Sequence, residues 1–94
     1  MSATKELVVT HAVGLHARPA AMFVRQAGSF KSKIMVTNLN KKTQPANAKS
    51  MLGVLSIGVQ RDDRILIWVD GEDENEALLA LSQLIESNFG EGAG

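Results

Sequence analysis

The spacing of apolar residues alternates between a period of two and a period near 3.6 along the chain, and each change marks an element. Glu6-Leu7-Val8-Val9-Thr10 is short and β-branched, with Leu7 and Val9 on one side, and predicts a strand that ends before Gly14. Over residues 17–28, Ala20, Phe23, Val24 and Ala27 fall at i, i+3, i+4 and i+7, one stripe of an amphipathic helix. Pro19 lies in its first turn, where a missing N–H costs nothing, and Gly28 is a natural stop. Ser32 to Thr37 alternates again, with Ile34 and Val36 inward and Lys33, Met35 and Thr37 outward. Asn38 to Lys42 is a polar turn. Thr43-Gln44-Pro45-Ala46 makes a poor strand, and its proline confines it to a sheet edge or a bulge. Between Asn47 and Ile57 helical spacing returns through Met51, Val54, Leu55 and Gly58. Ser50 is placed to cap this short helix, which Gly53 weakens and Gly58 ends. After a turn at 61–64, Ile65, Ile67 and Val69 define a strand facing the core. Asp70 to Asn75 opens a last helix, where acids at 70, 72, 73, 74 and 76 suit the positive end of its dipole. Ala77, Leu78, Leu81, Leu84 and Ile85 form its buried stripe. The order β-α-β-β-α-β-α predicts an α+β domain, a mostly antiparallel sheet with helices on one face.

Composition narrows the class. The chain has 94 residues, enough for a single domain, with order expected over about 3–89 and a flexible tail at 90–94. Ten basic and ten acidic residues cancel, which speaks against a strongly basic nucleic-acid binder. The cancellation hides a split. Residues 1–50 hold eight Lys/Arg against one acid, and 51–94 hold two against nine, so the halves carry +7 and −7. With no cysteine, disulfides and thiolate metal sites are excluded, and no metal or other cofactor is expected. Met1 to Glu6 lacks the apolar region of a signal peptide, and no apolar run reaches membrane-spanning length. The expected compartment is the cytoplasm, with no membrane insertion.

The chemistry concentrates in Gly14-Leu15-His16-Ala17-Arg18-Pro19-Ala20. His16 sits where a turn enters a helix, beside backbone N–H groups without intrahelical partners and a positive dipole end. Such an end binds phosphate, with Ala17 and Arg18 supplying the first free N–H groups. A neutral imidazole is a nucleophile near pH 7, and the Arg18 guanidinium can meet phosphate oxygens with paired hydrogen bonds. Together they describe a phosphoryl acceptor. The same spacing is compatible with His16 as a helix cap and Arg18 as a solvated surface side chain. His11, at the end of the first strand with no helix end or arginine adjoining it, is expected to be a packing or surface residue.

That stretch resembles the active-site signature of the HPr family, the histidine phosphocarriers of the bacterial sugar phosphotransferase system. Ala48-Lys49-Ser50-Met51-Leu52-Gly53-Val54-Leu55-Ser56-Ile57-Gly58 resembles the family's regulatory-serine segment. The resemblance spans about residues 5–87. It implies an open-faced β-sandwich, four antiparallel strands in order 1-4-2-3 with three helices on one face. It further implies that His16 accepts a phosphoryl group on its δ nitrogen from enzyme I, charged by phosphoenolpyruvate, and passes it to the A component of a sugar-specific enzyme II. The chain would then be a monomeric relay, not an enzyme acting on a metabolite. Ser50 would be the target of an HPr kinase/phosphorylase, read by a catabolite-control transcription factor. Ala17, Ala21 and Met22, pointing away from the core stripe, with Met51, Leu52 and Leu55, would form an apolar docking face rimmed by Arg25 and Lys49. Lys31, Lys33, Lys41 and Lys42 would lie away from the site. Trp68, Leu66, Val8 and Met35 would line the sheet face that the helices leave open. The chain departs from the family pattern at Val13, where a small polar residue is common, and in a longer segment at 38–45.

Rival readings are a nitrogen-branch paralogue of the family and a non-catalytic α+β regulatory or ligand-binding module. The latter does not require the His-Ala-Arg-Pro cluster. Three Phe, one Trp and no Tyr give a sheet-borne RNA reader little to stack bases on.

Overall fold

The computed structural model describes residues 2–91. Strand β1 (Ser2–Val8) leads to helix α1 (Ala17–Gly28), strand β2 (Lys33–Asn38), the two-residue strand β3 (Ala46–Asn47) and helix α2 (Met51–Ser56). Strand β4 (Arg64–Asp70), helix α3 (Glu74–Glu86) and a 3-10 turn (Asn88–Gly90) follow. The four strands form one antiparallel sheet in the order β1-β4-β2-β3, the order the resemblance implies.

Register sorts the two faces. Ile34 opposes Val69 and Val36 opposes Ile67 across β2 and β4, while Leu7 opposes Ile65 across β1 and β4. These side chains are buried against Ala20, Phe23 and Ala27 of α1, Val54 of α2, and Ala77, Leu81 and Ile85 of α3. Alternation with period two therefore decides which side of each strand meets the helices. Met35, Leu66, Trp68 and Val8 take the other face, where Met35 opposes Trp68 and Val8 opposes Arg64.

Three boundaries differ from the sequence expectation. Strand β1 begins at Ser2, not Glu6, because pairing of Ser2 with Asp70 and Ala3 with Val69 recruits a polar segment that has no apolar alternation to announce it. Strand β3 lies at 46–47 instead of 43–46: Ala46 and Asn47 pair with Val36 and Met35, and Pro45 stays outside the ladder, where it removes no hydrogen bond. Asp70 ends β4 and does not join α3; only Glu74 and Glu76 sit in the first turn of that helix. Of the expected tail, Gly90 and Glu91 are tied by backbone bonds to Ser87 and Asn88. Residues 92–94 lie outside the described residues.

Among the described residues, no helix is long and apolar enough to cross a membrane, and no group of three His, Cys, Asp or Glu side chains could hold a metal ion.

Candidate functional site

Between β1 and α1 the chain is clamped from two sides. The Val9 N–H donates to the Asp63 carbonyl at 2.9 Å, and the Leu15 N–H donates to the Val59 carbonyl at 3.0 Å. His11 is buried with its ring edge-on to Phe89, centroids 5.8 Å apart. Its Nδ1 accepts from the Val13 N–H at 3.2 Å, which leaves Nε2 to carry the proton toward the Glu91 carboxylate, 2.7 Å away. The Gly14 N–H closes the turn on the His11 carbonyl at 2.9 Å. Gly14 has φ +64, and a Cβ there would come within 2.2 Å of the Val59 carbonyl oxygen, so no other residue fits. Beyond this anchored loop, His16 emerges into solvent.

His16 is the N-cap of α1, extended at φ −142 and ψ 160, and its side chain makes no capping hydrogen bond. Its carbonyl accepts the first helical bond from the Ala20 N–H at 3.5 Å. Ala17 follows in the left-handed region at φ 52, a conformation that costs an L-residue about 1–2 kcal/mol. Strain of this kind persists where surrounding structure over-determines it, here the Leu15–Val59 bond before it and buried Pro19 after it. The first turn of α1 holds no acidic residue. His16, Ala17 and Arg18 are all exposed, and an open depression of about 290 Å³ beside His16 is walled by Val13, Leu15, Leu55, Gln60 and Lys41. The result is an uncapped helix end with an imidazole at its mouth and a guanidinium two residues further on.

Ser50 occupies the N-cap of α2, and there the side chain does cap: the Gly53 N–H donates to Ser50 Oγ at 3.1 Å. Gly53 suits this close approach, since a Cβ would meet the Asn47 carbonyl oxygen at 3.1 Å. Helices α1 and α2 touch. Across them Ala17, Ala21 and Arg25 are exposed, together with Met51 and, at 81%, Leu52. Leu55 is half-buried, packed on the core by one side and facing the His16 depression by the other.

A family profile described as "PTS HPr component phosphorylation site" matches residues 3–87. The chain belongs to the HPr family. Phosphocarrier protein HPr of Xylella fastidiosa (strain 9a5c) is 42% identical over 86 residues, covering 92% of this chain and 93% of that one. The multiphosphoryl transfer protein of Salmonella typhimurium is 42% identical over 88 residues; this chain is covered to 94% but spans 23% of that relative's length. Among solved structures, HPr-C-His from Thermoanaerobacter tengcongensis superposes with a TM-score of 0.89 at 43% identity, over 95% of this chain and 97% of that one.

Within this HPr fold, several residues stand elsewhere than the sequence suggested. Met22 does not point away from the core: it packs against it, and with Leu84 it lines a groove between α1 and α3. The helical stripe is wider than four positions, because α3 covers the flank of α1 that Met22 occupies. Lys49 is half-buried, its ammonium donating to the Phe30 carbonyl at 2.7 Å, beyond the end of α1. Lys41 lies at the site and not away from it, lining the His16 depression. Phe89, buried in the core, and Glu91, exposed and paired with His11, lie outside the sequence expectation. A lone aromatic just past a helix that otherwise ends in polar residues was the available signal.

Proposed function

We propose that the chain is a phosphoryl relay whose acceptor is His16 Nδ1, loaded by enzyme I at the expense of phosphoenolpyruvate and unloaded onto the A component of a sugar-specific enzyme II. The lone pair of Nδ1 attacks phosphorus on the donor's phosphohistidine. The new N–P bond forms as the donor's N–P bond breaks, and that bonding pair returns to the donor imidazole. Transfer of this kind is mostly positioning and charge neutralisation. The N–H groups at the start of α1 and the Arg18 guanidinium would take the equatorial oxygens. The observation that carries this reading is the absence of a side-chain cap at His16 on a helix whose first turn has no acid. A relay also needs a load it can give up, and an exposed helix end supports phosphate without enclosing it.

Docking would use Ala17, Ala21, Arg25, Met51, Leu52 and Leu55. Exposed Met and Leu beside a reactive group fit a flat protein contact made and broken each cycle. Lys49 would add charge at the rim. Ser50 would be a regulatory phosphorylation site for an HPr kinase/phosphorylase. Phosphate there adds a charge of about −1.5 to −2 at a helix N-terminus, which stabilises anions, so the fold is kept while the docking face turns negative. A catabolite-control transcription factor is the class of partner that would read that mark.

The test is direct. Incubation with phosphoenolpyruvate and purified enzyme I adds the mass of one phosphate, acid-labile and alkali-stable, and His16→Ala abolishes it. Undiminished labelling of His16→Ala refutes the reading.

A further inference from the structure

A buried asparagine aims the segment between β2 and β3 at the acceptor. Asn38 is fully buried, and its side-chain amide donates to the Ile57 carbonyl at 3.0 Å and to the Asp63 carboxylate at 3.1 Å. Its side-chain oxygen accepts the N–H groups of Asn40 at 3.1 Å and Lys41 at 3.3 Å. The Thr43 N–H returns to the Asn38 carbonyl, and the Asn40 side chain accepts from the Arg64 N–H. A fully connected polar network of this kind fixes one backbone path. Along that path Lys41 reaches across the end of α2, where its ammonium donates to the carbonyl of Gly58. The ammonium has three N–H donors, so this bond leaves two available. Lys41 and His16 line the same depression.

We propose that Lys41 is a second cation of the phosphoryl-acceptor site, contacting the phosphoryl group on His16. The proposal rests on the reading of His16 as acceptor. The Gly58 carbonyl holds the stem in place, so the charge is positioned before phosphate arrives and little ordering is required on loading. Arg18, on the exposed first turn of α1, lacks such an anchor among the interactions described. Lys41 would thereby raise the rate of loading and lower the basicity of the phosphorylated imidazole, since a nearby cation disfavours the imidazolium.

The experiment compares the parent chain with Lys41→Gln, Lys41→Arg and Lys33→Gln. The last removes one positive charge from an exposed position on β2. Two readouts are followed: the rate of phosphoryl transfer from phosphorylated enzyme I, and the NMR titration midpoint of phosphorylated His16. Lys41→Gln is expected to slow transfer roughly three- to tenfold and to move the midpoint to higher pH. Lys41→Arg should restore most of the rate, and Lys33→Gln should match the parent. A role confined to capping the end of α2 would lower the melting temperature without moving the titration. An unchanged rate and midpoint in Lys41→Gln, or an equal loss in Lys33→Gln, overturns the proposal. Loss of all labelling with His16 intact would instead strike the acceptor reading itself.

Discussion

Two helix N-termini of this chain are built in opposite ways. At α2, Ser50 turns its hydroxyl inward to accept the Gly53 N–H, and the helix end is satisfied by its own residue. At α1, His16 holds the corresponding position in an extended conformation, makes no such bond, and is followed by Ala17 at φ 52. One terminus contributes its capping energy to the fold. The other forgoes about 1 kcal/mol of capping and carries local strain besides. A third, at α3, diverts its cap: the Asp73 carboxylate reaches across to the N–H groups of Lys31 and Ser32 and to the Ser32 hydroxyl, fastening the loop after α1. Of the three, α1 alone joins an uncapped N-cap to a first turn without an acid, since α2 is capped by Ser50 and α3 carries Glu74 and Glu76, and that is where the imidazole of His16 stands.

The contrast can be broken first at Gly14. Gly14→Ala forces a Cβ against the Val59 carbonyl in a left-handed conformation, and the expected cost is roughly 2–4 kcal/mol, read by denaturant unfolding. Acceptance of phosphate by His16 should fall with it, since the same loop aims the ring. A wild-type midpoint would mean the loop yields more easily than its clamps suggest. Ser50→Ala comes next, with an expected loss of about 1 kcal/mol and unimpaired phosphoryl acceptance. Ser50→Asp should keep the melting temperature, because aspartate also caps, while slowing transfer from enzyme I; equal transfer rates would remove the docking face from the account. Leu52→Ala, at an 81% exposed position, should change stability by less than about 0.5 kcal/mol while weakening the apparent affinity for enzyme I. The last prediction concerns α3. Hydrogen bonds from the Ser32 hydroxyl, then from the Lys31 N–H, lower the Asp73 carboxyl from 3.8 to about 2. A depressed carboxyl contributes stability that is fully present above its unfolded value and is lost as pH falls through the folded one. Acid unfolding of the parent should therefore steepen between pH 3.8 and about 2, and Asp73→Asn should flatten that portion of the curve.

Much of this arrangement was legible before the fold was seen, and the limits follow a physical line. Ile34, Val36, Ile65, Ile67 and Val69 declared the core face because a half-buried strand alternates with period two. The extent of α1 and the capping role of Ser50 were readable because both depend on residues within a few positions. The start of β1 at Ser2 was hidden, since its order comes from β4, more than sixty residues away. So was the place of Lys41, which depends on Asn38 bonding simultaneously to Ile57 and Asp63. The pairing of His11 with Phe89 and Glu91 likewise joins the two ends of the chain, and no local spacing encodes it. His16 and Arg18 could be proposed from one short motif, but the absence of a side-chain cap beside them depends on the conformation of the whole turn, which no local spacing encodes.

The central claim is that the open terminus of α1, and not the satisfied one at α2, receives the phosphoryl group from enzyme I. Mapping the label on the intact chain after reaction with phosphoenolpyruvate and enzyme I tests it most directly. The account predicts a single phosphoramidate on His16 Nδ1, with none on His11 or Ser50. Label on either of those residues, or an undiminished yield from His16→Ala, would contradict it.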